Sequence, residues 1–373
     1  MIDIIELRHS LHRIPELAFQ EFKTKAMLEE NILRLLQNQP ENLWHLHYFQ
    51  NSPGLLLEYS PAKGNYLLFR ADMDGLPITE KTGVPFASEH PNLMHSCGHD
   101  VHLSILMGLI QYVANTLPQR NILFLFQPAE EGEGGAKSIL AEGIIQKFEI
   151  TSVFALHIAS ELPVGSVSAK EGIFFSISQE FDVLFYGKAS HIAFPEKGID
   201  ALSAGIKFMN TIEDKLAELK KTEKIIFHIG KMSAGTIRNV IADKCVLEGT
   251  HRSLSPKISQ KINILIRDTA ELIARNTNTR SEVKFLASYD PVINNPDLVN
   301  RLQDICRQQN IEYIPAQTSM TGEDFGFFTT LYPGLLFWLG SGCSYPLHSD
   351  KFLPQDECLE IGVKIMSAFL TTE

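Results

Sequence analysis

Tyr66-Leu67-Leu68-Phe69-Arg70-Ala71-Asp72-Met73-Asp74-Gly75-Leu76-Pro77 runs from an apolar stretch straight into two acids and a Gly/Pro turn. Residues 65–71 read as a strand whose two faces are both apolar, which suits a central strand covered from both sides. Sheets built from such strands are largely parallel, and they hold ligands at the carboxyl ends of the strands. Asp before Gly is also ordinary turn chemistry. What points beyond it is repetition of the same junction along the chain.

Residues 54–59 read as a neighbouring strand. Residues 121–127 form another apolar strand, which ends in Pro128-Ala129-Glu130-Glu131-Gly132 before a helix from about Ala136. Residues 152–158 carry His157 near their end. Residues 334–340 are followed by Tyr345-Pro346-Leu347-His348-Ser349-Asp350. Between the first two junctions lies Met94-His95-Ser96-Cys97-Gly98-His99-Asp100-Val101-His102, ahead of an apolar helix predicted over 101–117. Thiolate and imidazole one residue apart suit zinc and its borderline-soft neighbours, and Gly98 lets the backbone bend between them. Strands alternating with helices predict an α/β fold, a mostly parallel sheet flanked by helices.

The pattern changes between 175 and 288. Strand 178–187, helix 198–220, strands 224–230 and 243–252, helix 256–277 and strand 281–288 give β-α-β-β-α-β, the ferredoxin-like arrangement, with the middle strands linked through Ser233-Ala234-Gly235. The expected organisation is therefore a catalytic domain of residues 1–174 and 289–373 interrupted by an inserted lid domain, 175–288. The opening residues 4–36 have helical spacing broken near Pro15. Within them, His12 is able to reach a site or to hold a structural partner.

The 373 residues are 44% apolar and 21% charged, with 33 basic and 44 acidic side chains and a net charge of −11. That balance argues against nucleic acid or an anionic membrane as the main partner. No stretch approaches the roughly 20 apolar residues of a membrane span, and the charged, amphipathic start does not read as a signal peptide. Five scattered cysteines make no disulfide framework, so a cytoplasmic location is expected.

Cys97, His99, Glu131, His157 and His348 are five candidate metal ligands. A closed structural zinc needs four and leaves no role for spare acids. Five ligands plus Asp72 or Asp74 better suit two divalent ions about 3.5–4 Å apart, which lower the pKa of a shared water to about 7. Glu130 is the better candidate for the general base, with the reverse pairing of Glu130 and Glu131 open. Whichever of Asp72 and Asp74 is not a ligand would orient a ligand histidine. Asp100 and His102 are further supporting candidates. In the inserted domain, a closing lid would bring His191 onto an oxyanion, Arg252 is a candidate to bind a substrate carboxylate, and Asn239 is a further substrate-binding candidate. The thiol of Cys97 is also conceivable as a nucleophile beside His99, against the nearby acids.

These motifs, with His12 to Leu17, Gly187 to Pro195, Gly249 to Arg252 and Gly322-Glu323-Asp324-Phe325, resemble the zinc-dependent aminoacylase and carboxypeptidase superfamily, in its hippurate-hydrolase (N-acyl-amino-acid amidohydrolase) branch. The likeness spans nearly the whole chain. It implies hydrolysis of a small N-acyl amino acid by two metal ions (Zn, Mn, Co or Ni), with Cys97, His99, Glu131, His157 and His348 as ligands and Glu130 as base. An Asp of the Asp72/Asp74 pair matches the second active-site acid, and the lid often dimerises. Gly75, Thr321 to Gly326 and Phe337 to Gly340 are most like the branch that deacetylates an N-acetylated diamino acid on the way to lysine. Ser349-Asp350 departs slightly from the family's run after the last histidine. Hydrolysis of hippurate-like substrates or dipeptides is the rival expectation, and a non-catalytic binding protein a remote one.

Overall fold

The structure, a computed structural model, describes residues 1–132 and 134–371. It divides into two compact units, residues 1–174, 292–318 and 324–373, and residues 175–291 with 319–323.

In the first unit, strands Asn121–Gln127, Tyr66–Asp72, Ile150–Ala159 and Gly334–Gly340 lie side by side in that order, all parallel. Leu55–Tyr59 and Trp44–Tyr48 extend the sheet antiparallel beyond Asn121–Gln127. From Tyr66–Asp72 the chain returns to one side of that strand, as Asn121–Gln127. It then crosses to the other, as Ile150–Ala159. The switch in direction leaves a crevice at the carboxyl ends of Tyr66–Asp72 and Ile150–Ala159, where open α/β sheets bind ligands.

Helix His99–Thr116 covers one face and is apolar almost all round, as a helix enclosed by its own domain must be. Helices Ile4–His12 and Glu357–Thr371 pack against it. Leu11, Val101, Ile105, Leu109, Phe154 and Phe369 are among the core side chains they share with the sheet. The helix begins at His99, two residues earlier than its apolar pattern suggests. Gly98, at φ 81°, is its N-cap. A Cβ there would stand 2.7 Å from Cγ1 of Ile158, so the turn can approach the strand only without a side chain. This places His99 and His102 three residues apart on one helical face.

The second unit is a four-stranded antiparallel sheet in the order Arg280–Tyr289, Ile177–Tyr186, Lys244–Ser253, Ile226–Ala234. Helices Ala201–Lys220 and Pro256–Thr277 pack on it and on each other around Phe181, Phe185, Phe208 and Ile266. Two boundaries differ from expectation. Ser233 and Ala234 belong to the strand, and the link starts at Gly235, whose φ of 68° turns the chain. The first helix starts at Ala201, because the Asp200 side chain accepts the N–H groups of Leu202 and Ser203 as its N-cap.

All five cysteines are free and buried. Among the described residues, no helix is long and apolar enough to cross a membrane.

Candidate metal centre

Three histidines stand at the crevice, and their partners fix what each ring offers. Nδ1 of His99 lies 2.8 Å from the carbonyl oxygen of Asp74, and Nδ1 of His157 lies 2.9 Å from that of Ile158. A carbonyl only accepts, so both rings donate from Nδ1 and present Nε2 to the site. His102 is the opposite case. Its Nε2 accepts the Ile158 N–H at 3.0 Å, and its Nδ1 donates to Asp72 at 2.6 Å. Both nitrogens of His102 are used, so it braces the centre rather than offering a ligand.

The remaining donors gather around these rings. Cys97 Sγ lies 3.4 Å from His157 Nε2, and His348 Nε2 lies 3.3 Å from Glu131 Oε1. Among the described residues five sets of side chains bring ligand atoms within 4.8 Å of one another, and three of them hold the predicted ligands: Cys97 with His99 and His157, Cys97 with Glu131 and His348, and His99 with Glu130 and Glu131. All five predicted ligands are thus drawn together, with Cys97 shared by two sets. His348 reaches its place from a loop residue at φ 64° whose N–H donates to the carbonyl of Ser96, beside Cys97.

Asp74 aims the two glutamates. Its Oδ1 accepts the N–H of Glu130 at 3.0 Å, and its Oδ2 that of Glu131 at 2.9 Å. With both oxygens on main-chain donors, Asp74 is a positioning group. Asp72 faces His102, lies 3.7 Å from Nε2 of His99, and is clamped by Arg70 at 2.8 Å. Arg70 also holds Asp324 at 2.7 Å and Gln127 at 2.9 Å. Sequence reasoning passed over Arg70, although a lone arginine inside an apolar strand, two residues before an acid, signals a buried ion pair. Glu21 was missed as well. It sits outside the motif-bearing strands, yet its side chain accepts the N–H of Ala129, next to Glu130, at 2.8 Å.

The electrostatics fit a cation. Burial opposes ionisation of Asp72, but His99, His102 and Arg70 hold its carboxyl well below the usual range. Burial likewise works against Glu131, which His348 and His99 keep ionised. Burial disfavours charge on His99, yet Asp72, Asp74 and Glu131 together raise its pKa to about 10. The acids therefore call for a positive charge at Nε2 of His99, where a metal ion would supply it in place of a proton. His157, with burial dominant, falls to about 4 and keeps its lone pair. Nε2 of His99 is buried and makes no hydrogen bond, as expected of an atom that completes its shell with an ion. Burial and the neighbouring Glu131 and Glu130 push the Cys97 thiol well above its usual range, which disfavours a free nucleophilic thiolate.

Asp100 does not support this centre. Its carboxylate faces away, to Arg8 at 3.1 Å and His12 at 2.9 Å, tying the first helix to the helix that starts at His99. His12 is thereby a structural residue.

In the second unit, His191 and Asn239 sit on adjacent segments, with Ile192 N–H donating to the Asn239 carbonyl at 3.0 Å. Both are exposed. Arg252 is opposite Ser178, near the start of Ile177–Tyr186. The pairing of 187–192 with 239–243 continues that ladder past the other end of the strand. At about 3.3 Å per residue, His191 and Asn239 lie roughly 30 Å or more from Arg252.

Residues 68–372 match the family described as Peptidase family M20/M25/M40. An N-acetyldiaminopimelate deacetylase of Geobacillus sp. (strain WCH70) is 38% identical over 370 residues, covering 98% of this chain and 97% of that protein. One of Shouchella clausii (strain KSM-K16) is 36% identical over 376 residues, covering 100% and 99%. Among solved structures, a putative aminohydrolase from methicillin-resistant Staphylococcus aureus superposes with a TM-score of 0.89 at 25% identity, over 98% of this chain and 95% of that one. The Bacillus subtilis YXEP protein, described as a dinuclear metal binding peptidase of the M20 family, does so at 0.81 and 28%, over 98% and 96%.

Proposed function

The chain belongs to peptidase family M20/M25/M40, and from that premise we propose that this metal-dependent amidohydrolase removes the acetyl group of N-acetyl-LL-2,6-diaminopimelate, giving diaminopimelate and acetate on the route to lysine. The observation that carries the chemistry is the convergence of Cys97, His99, Glu131, His157 and His348 beside Glu130. The substrate rests on full-length likeness to the N-acetyldiaminopimelate deacetylases.

Those five side chains would hold two divalent ions (Zn, Mn, Co or Ni). When bound, such ions polarise an acyl carbonyl and make a nucleophilic water available at neutral pH. Glu130, buried and fixed through its main chain by Asp74, takes a proton from the attacking water and returns it to the amine nitrogen as the C–N bond breaks. Asp74 keeps Glu130 and Glu131 aimed apart, so that one works as base while the other binds. Asp72 and His102 hold the histidine side of the centre rigid.

His191 meets the oxyanion, while Asn239 and Arg252 serve the substrate carboxylate. Their separation within one sheet supports a reading in which a small substrate takes these groups from two copies of the chain, in a homodimer through the second unit. Edge strand Ile226–Ala234 carries exposed Ile226, and helix Ala201–Lys220 carries exposed Leu202 and Ile206, the surface such a pairing would cover. The enzyme is cytoplasmic in this reading.

The test is a panel of N-acetyldiaminopimelate, hippurate, other N-acyl amino acids and dipeptides, run with and without chelator. The reading expects chelator-sensitive release of acetate, fastest from N-acetyldiaminopimelate. Faster turnover of hippurate or a dipeptide would reassign the substrate. Activity that survives chelator but dies with a thiol blocker would reassign the mechanism to Cys97.

A further inference from the structure

The motif Arg13-Ile14-Pro15-Glu16-Leu17 and the residues after it lie ahead of the stretch that matches the family, and no step above uses them. They nevertheless touch both acid-bearing turns. The carbonyl of Glu16 accepts the N–H of Gly75 at 2.7 Å, directly behind Asp74. Pro15 packs so closely there that a Cβ on Gly75 would stand 2.8 Å from its own Cβ. Five residues on, Glu21 Oε1 accepts the N–H of Ala129 at 2.8 Å, directly ahead of Glu130.

Ala129 sits at φ 58°, a left-handed conformation that is unfavourable for a residue with a Cβ. It persists because its surroundings over-determine it. On one side the Ala129 carbonyl accepts the N–H of Gly135 at 2.9 Å. On the other, the Ala129 N–H ends on a fully buried carboxyl group. The loop between the first two helices therefore grips the turn that carries Asp74 and the turn that carries the two glutamates.

We propose that Glu21 is a positioning residue for the metal centre: as a buried acceptor it holds Ala129 in its left-handed conformation and so sets where Glu130 and Glu131 point. This rests on the roles given to Glu130 and Glu131 above. What Glu21 supplies is an oxygen lone pair in a fixed place. An amide oxygen would serve the same purpose, and a side chain with no acceptor would not.

The experiment compares Glu21→Ala, Glu21→Gln and Glu21→Ala with Ala129→Gly, each in the full chain loaded with manganese. Glu21→Ala is expected to weaken metal retention by ~10–100-fold, as loss of an outer support does, and to lower kcat with little change in KM. Glu21→Gln is expected to keep both within about threefold of the parent. Ala129→Gly removes the conformational cost, so in that background the loss from Glu21→Ala should shrink. Unaltered metal retention and kcat in Glu21→Ala, or equal damage from Glu21→Gln, overturns the proposal. Should Glu21→Ala fail to fold, the double variant decides. Recovery of fold and metal binding supports the role, and continued failure rejects it. Failure of the underlying reading would show separately, as full activity in Glu130→Gln.

Discussion

Two clusters of buried charge share the helix that begins at His99, and they differ in one respect. Around Asp100 every strong group finds an opposite partner: Arg8 with Asp100 and Asp356, and His12 with Asp100 and Glu80. Around Cys97 the acids outnumber the cations, and the buried Nε2 of His99 has no hydrogen-bond partner. The first cluster is balanced in charge and ties helices together, although Asp100 Oδ1 and Arg8 Nη2 make no hydrogen bond. The second is balanced only with added positive charge. Buried charge alone does not mark a functional site, and a surplus of acid over cation is the better sign.

Replacing Glu130 by Gln should separate the two most sharply. Turnover should fall ~10²–10⁴-fold with metal content unchanged, since the general base is lost and the ligands remain. Kinetics alongside elemental analysis check this, and near-normal turnover would sink the assignment.

Asp100→Ala should do the reverse. It leaves Arg8 with Asp356 alone and His12 with Glu80 alone, both buried, and should cost up to about 3–5 kcal/mol of stability, while the folded fraction keeps its metal. Denaturant unfolding with metal analysis reads both. Unchanged stability would mean that this cluster is not the structural one.

The same cluster predicts a pH dependence. Burial disfavours charge on His12, but Asp100 and Glu80 lift its folded pKa to about 9 from 6.5. The folded state thus holds the proton more tightly than the unfolded chain. The resulting stability is fully present below about pH 6.5 and is lost as pH rises through about 9, on the order of 3 kcal/mol. Melting curves across that window should show the decline, and His12→Asn should flatten it.

The smallest effect probes the edge of the metal centre. His102→Gln keeps a polar side chain but cannot join Asp72 to the Ile158 N–H in the same way. It should weaken metal affinity by ~10–100-fold with little change in the melting point of the metal-free chain. A metal titration that superposes on the parent's would show that His102 merely packs.

Much of this was legible in the chain itself. Apolar strands that end in acids or histidines announced a parallel sheet with a site at its carboxyl edge, because strand burial and strand ends leave local signals. Cys97-Gly98-His99 and Glu130-Glu131 offered candidate metal-binding side chains for the same reason, and the fold draws them together. Arg70 left a signal that was readable and unread. Glu21 left none, because its importance lies in a main-chain N–H more than a hundred residues away.

The sequence by itself determined the element order, the alternation of layers and the chemical types available to bind metal, since these follow from periodicity and residue identity within short windows. Only the tertiary structure decided that His99 opens its Nε2 to the site while His102 closes both nitrogens, that Asp74 positions and Asp100 braces, and that Arg252 lies far from His191. A side chain's role depends on which atoms meet it after folding, and hydrogen bonds between distant segments are not written in either segment alone.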